Sequence, residues 1–173
     1  MTDADDFTSD CANCAALCCL ALAFDADASF AHDKPAGVAC HNLAATEVGL
    51  GCAIHKDLTQ KGYSGCVAYQ CLGAGQRTTA LFDTTWRDDP KLTVPMMDAF
   101  RQMRSVQKCR QLLLASQALS LPRDLEMQRD SWLDRITPDI WSLAALEQFE
   151  LDNTETEVTM WLRGLANYVP QTT

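Results

Sequence analysis

From Val94 onward, apolar residues recur at the spacing of an amphipathic helix. Met96, Phe100, Met103, Val106, Leu113 and Ala118 mark one face of a long helix running from Val94 to about Leu119. Ser120 and Pro122 end it. A second helix is predicted over about Arg123 to Ile136, offering Leu125, Trp132 and Leu133. Thr137 as a cap with Pro138 at the first helical position predicts a third helix through Phe149. Thr154 and Glu157 have capping-box spacing and open a last helix with Val158, Trp161, Leu162, Leu165 and Val169. Helices of this kind form a small bundle.

The pattern before Val94 is different. Residues 1–91 lack sustained periodicity and are rich in Cys, Gly and small residues. Ala12 to Phe24 is predicted as one helix, with Cys14 and Cys18 four apart on one face and Cys11 at its start. Asp33 to Gly37 reads as a turn, and Val38 to Leu43 as irregular or briefly extended. Cys52 to Leu58 reads as a helical turn, Gly62 and Gly65 as chain breaks, and Gly73 to Gly75 as a flexible loop. Phe82 to Pro90 is the junction. The expected fold is mainly α: an irregular cysteine-rich metal-binding region, residues 1–91, packed on a small C-terminal helical bundle, residues 92–173.

Composition narrows the function classes. The chain has 173 residues, 47% of them hydrophobic, which suffices for a core without staples along its whole length. The net charge is -9. Residues 1–75 carry nine acidic side chains against three lysines, and no basic patch is visible. A binder of the nucleic-acid backbone needs positive charge, so that class is disfavoured. The apolar stretch from Cys11 to Phe24 is too short to span a bilayer and lacks the basic flank of a secretion signal. The protein is therefore expected to be cytoplasmic and outside the membrane.

Eight of nine cysteines lie between Cys11 and Cys71, while Cys109 stands alone in a helical pattern and is expected to be buried. Reducing conditions favour metal ligation over disulfides for such a cluster. The order is Cys11-x2-Cys14-x3-Cys18-Cys19, then Cys40, Cys52, Cys66 and Cys71. The x2 spacing lets two thiolates reach one metal. Cys18 and Cys19 point about 100° apart on a helix, so they do not both face one ion. Eight thiols allow two four-cysteine sites, or one centre with spare cysteines. Zinc and a cubane (4Fe-4S) iron–sulfur cluster both accept four cysteines, and spacing alone does not separate them. His32, His41 and His55 lie in the same region; His41 directly follows Cys40, and His55, three after Cys52, has ligand-compatible spacing. Lys34 is a candidate to offset the negative charge of a cluster, and Tyr63 and Tyr69 flank Cys66 and pack over the site. No hydrolase motif or phosphate-binding loop is present.

The segments CANCAALCC at 11–19, KPAGVACHNL at 34–43, CAIHKDL at 52–58 and GYSGCVAYQC at 62–71 resemble the YkgJ-like family of zinc- or iron-chelating proteins. The stretch 11–77 is more closely similar to the cysteine-rich segment ahead of pentapeptide repeats in some bacterial proteins. The resemblance covers the first half only and implies that Cys11, Cys14, Cys18 or Cys19, Cys40, Cys52, Cys66 and Cys71 match the chelating set. The chain departs from the family in the Cys52–Cys66 distance, in lacking Arg-Pro before Cys66, and in its helical second half. The reading carried forward is an accessory or regulatory protein holding an iron–sulfur cluster or zinc, with the helical half docking a protein partner. The alternatives are an iron–sulfur redox enzyme or subunit, and a metal storage or delivery protein.

Overall fold

The computed structural model describes residues 4–46 and 49–170. The fold is mainly α-helical, and it divides into two compact units at Arg101/Gln102. That boundary lies inside a helix, about ten residues beyond the junction expected from composition.

The first unit is built from short pieces. A 3-10 turn over Cys11–Asn13 is capped by Asp10, whose side chain accepts from the Ala12 and Asn13 N–H groups. The single helix expected over residues 12–24 does not form. Cys14 is extended, Ala16 is left-handed at φ 54°, and only Leu17–Ala21 (α1) is α-helical. Burying Leu17 and Leu20 at 0% and 1% exposure re-aims the chain there. Cys14 and Cys18 are therefore not stacked on one helix face.

Leu43–Thr46 (β1) and Gly49–Cys52 (β2) pair antiparallel, with Leu43 opposite Cys52. This hairpin was not legible in a stretch poor in β-branched residues. Ser64–Ala68 (α2) runs through Gly65 instead of breaking there. A Cβ on Gly65 would lie 2.2 Å from Phe30 Cζ, so the glycine admits that ring. Gly73, at φ 75°, turns the chain into Ala74–Thr79 (α3). The expected flexible loop at Gly73–Gly75 is thus the start of a helix.

The long helix α4, Thr93–Ala115, carries most of the predicted stripe, with Met96, Met103, Val106 and Leu113 fully buried, but it stops short of Leu119, and Ala118 is exposed on the 3-10 turn Ser116–Ala118. Trp86 is fixed to the first unit by its indole N–H, which donates to the Ala15 carbonyl at 2.8 Å. No helix among the described residues is long and apolar enough to cross a membrane.

The second unit continues with Arg123–Arg135 (α5), Leu143–Leu151 (α6) and Thr154–Gly164 (α7). The third predicted helix starts later than expected. Thr137 Oγ1 instead accepts from Arg110 Nε at 3.2 Å, and Ser142 caps α6 by accepting from the Ala145 N–H at 3.1 Å. The capping box at Thr154 is not formed either. Asn153, left-handed at φ 52°, is the cap, and Thr154 is buried as the first helical residue.

Candidate metal centre

The eight N-terminal cysteines come from seven places in the first unit. Cys11 lies in the 3-10 turn, Cys14 in extended chain, Cys18 and Cys19 on α1, Cys40 before β1, Cys52 at the end of β2, Cys66 on α2 and Cys71 before α3. None is in a disulfide.

Local bonds bring these pieces together. The Cys40 N–H donates to the Cys19 carbonyl at 2.9 Å, and the Leu43 N–H donates to the Cys40 carbonyl at 2.9 Å. The Leu43–Cys52 pairing then carries Cys52 beside that turn. The Cys11–Asn13 turn packs against both α3 and β2. Cys71 Sγ lies 3.0 Å from Ser9 Oγ. The Ala15 N–H donates to Thr79 Oγ1 at 3.0 Å, tying the chain after Cys14 to α3.

Gly75 shows how close the approach is. A Cβ there would meet Cys14 Sγ at 2.6 Å and Cys71 Sγ at 3.9 Å. Cys14 and Cys71 therefore share one cradle on α3 that any side chain would fill.

The electrostatics trace two groups that share Cys18. Burial pushes the Cys14 thiol up to about 11, with Cys18 and Cys71 adding to the rise. Cys11 is raised by burial and then by the same two neighbours. Cys52 and Cys66 are raised by burial, with Cys40 and Cys18 adding to the rise in both. The Cys18 thiol is raised first by its hydrogen bond with Cys19 and then by burial. In Cys11, Cys14, Cys52 and Cys66 burial is the largest cause, because it disfavours the charged thiolate.

Lys34 is 3% exposed. Its ammonium donates to the carbonyls of Leu20 at 3.1 Å, Pro35 at 3.2 Å and Leu22. All three N–H donors are used, so Lys34 pins the end of α1 to the following turn. Burial lowers its pKa, and Cys40, Cys19, Cys18 and Cys66 act in the opposite direction. Its positive charge thus stands among four of the thiols. Tyr69 is half-buried and caps α2 through its N–H on the Gly65 carbonyl. The Tyr63 hydroxyl joins His32 Nδ1 at 2.9 Å and His41 Nε2 at 3.3 Å. His55 is exposed on the 3-10 turn His55–Asp57. Cys109 is buried on α4 at 2% exposure and lies in the second unit.

Among the described residues, no three His, Cys, Asp or Glu side chains form a ready-made ligand group around one point. What the first unit offers is a thiol-only donor set, a glycine-floored approach between two of the sulfurs, and a buried cation beside four of them. That chemistry fits a soft or borderline metal bound by thiolates, as zinc and iron–sulfur clusters are.

No family model matches the chain. No solved structure matches it either. Among curated proteins, it is similar to the uncharacterized protein YybG of Bacillus subtilis (strain 168), at 32% identity over 160 residues. The match covers 91% of this chain and 56% of that relative, so the chain spans a little over half of the relative's length.

Proposed function

We propose that the first unit holds a thiolate-bound metal centre, an iron–sulfur cluster or zinc, and that the chain works as an accessory or regulatory protein. Eight cysteines free of disulfides in one unit, with Cys18 in electrostatic reach of Cys11, Cys14, Cys52 and Cys66, support this reading. Cys11, Cys14, Cys18, Cys71, Cys40, Cys52 and Cys66 would supply the ligands, with Cys19, hydrogen-bonded to Cys18, as a further donor. The bound metal would supply structural cross-linking of seven short chain segments, a role common in units without a large core. Lys34 would offset the charge of the thiolates, and Tyr69 would cover the α2 side. The YkgJ-like resemblance of the segments 11–19, 34–43, 52–58 and 62–71 points to the same chelating set.

The helical unit would dock a protein partner. Its α5 and α7 faces border an open cleft of about 600 Å³ lined by Met127, Gln128, Trp132, Arg135 and Trp161. Met127 and Met160 are exposed at 64% and 65%. Aromatic and methionine side chains of this kind are enriched where proteins meet.

A storage or delivery role is the second reading. Cys11 and Cys66 are exposed, which would let a metal exchange.

Cobalt(II) titration of the reduced, metal-free chain tests the proposal. Intense sulfur-to-cobalt charge-transfer absorption is expected. It should fall in Cys14→Ser and Cys18→Ser and persist in Cys109→Ser. A chain that takes up no cobalt, or whose spectrum ignores the first two substitutions, would refute thiolate ligation.

A further inference from the structure

His32, His41 and Tyr63 form a cluster that the thiol centre does not use. Tyr63 is 6% exposed, His32 half-buried and His41 exposed. The phenol oxygen sits between the two imidazoles, 2.9 Å from His32 Nδ1 and 3.3 Å from His41 Nε2. The ring centroids of the two histidines are only 3.8 Å apart, with planes tilted by 54°. A wall behind them fixes the His32 ring: Phe24 meets it edge-on at 5.4 Å and is itself stacked on Phe30 at 4.2 Å.

Two imidazole nitrogens therefore converge on one oxygen, which lies at the bottom of a site whose mouth is His41. Ligands about 2.0–2.1 Å from a zinc-sized ion stand roughly 2.9 Å apart at a right angle and roughly 3.3 Å apart at a tetrahedral one. The two distances at Tyr63 fall on those edges. His, Cys, Asp and Glu alone provide no group of three among the described residues; here the phenol is the third donor.

We propose that His32, His41 and Tyr63 are a second metal site, separate from the thiols, for a divalent cation of the zinc–copper class. Imidazole suits such ions. On binding, the phenol proton leaves to solvent. The phenol donates to one imidazole and accepts an N–H from the other, so on binding the second ring passes that proton through solvent to its outer nitrogen, and each neutral imidazole then gives the metal the lone pair of the nitrogen that faced the phenol. Water fills the remaining positions at the open mouth. The site does not depend on a metal at the cysteines.

Zinc content after desalting, measured on the full reduced chain, tests it with four proteins: wild type, His41→Ala, Tyr63→Phe and His55→Ala. Wild type and His55→Ala are expected to retain one zinc equivalent more than the other two. The cobalt–thiolate absorption should be the same in all four. Should His41→Ala lose helical circular dichroism, Tyr63→Phe, which removes a single oxygen, decides alone. Equal zinc content in Tyr63→Phe and wild type would overturn the proposal. So would loss of the thiolate band in a folded His41→Ala, because His41 would then belong to the thiol centre. A chain whose cysteines take no metal would still show the histidine-dependent equivalent, so the two readings fail separately.

Discussion

A methyl group on Gly75 would sit 2.6 Å from Cys14 Sγ, whereas one on Gly164 would meet nothing within 4 Å. The two glycines make a matched pair. Gly75→Ala should destabilise the protein by about 1–3 kcal/mol, as overpacking does, and weaken cobalt uptake. Gly164→Ala, in an exposed helix with φ -62°, should stabilise by about 0.5–1 kcal/mol. Urea unfolding of both variants checks the signs. Equal effects would mean that the Gly75 cradle is not shaped by Cys14. Lys34→Met leaves the Leu20, Leu22 and Pro35 carbonyls without their donor and should cost on the order of 2–3 kcal/mol, read the same way. The cysteines were legible as a set because their number and spacing are unusual. The burial of Lys34 and the meeting of His32 with His41 were not, because both depend on how the 24–41 segment closes on itself.

Cys109 separates structural from ligand thiols. Burial pushes it up to about 12, with Glu155 adding to the rise. A thiol whose folded pKa is raised contributes stability that is fully present below its unfolded value, roughly 8.5, and is lost as pH climbs toward 12. Stability measured from pH 8 to 10.5 should therefore fall less in Cys109→Ala than in wild type. Parallel curves would argue against a buried neutral thiol at this position.

At the scale of elements, strong periodicity declares a helix in the sequence, and weak punctuation does not fix where one begins. The face of α4 was visible because Met96, Met103, Val106 and Leu113 alternate with polar residues at helical spacing. The start of α6 is hidden in the sequence because Thr137 and Pro138 have the form of a cap, while in the fold Thr137 is engaged by Arg110. Ser142→Ala should accordingly cost about 1 kcal/mol of stability by thermal unfolding. A neutral result would move the cap elsewhere. In the first unit, α1, α2 and α3 have five, five and six residues, lengths too short for an amphipathic pattern to declare itself. Ala16 is left-handed just before α1, and close approaches of Phe30 to Gly65 in α2 and of Cys14 to Gly75 in α3 fit these pieces to their surroundings.

At the scale of the whole molecule, the cysteines divide with the two units: eight in the first and Cys109 in the second. The similarity to YybG runs through 91% of the chain and therefore includes helical as well as cysteine-rich sequence. The central claim is that the eight thiols of the first unit hold metal. Its most direct test is metal and acid-labile sulfide analysis of protein purified without oxygen, with thiols counted on the same sample before and after chelation. Bound zinc, or iron with about equal sulfide, is expected, together with thiols in the first unit that become reactive only when the metal is removed. Metal-free protein whose thiols react fully before chelation would contradict it.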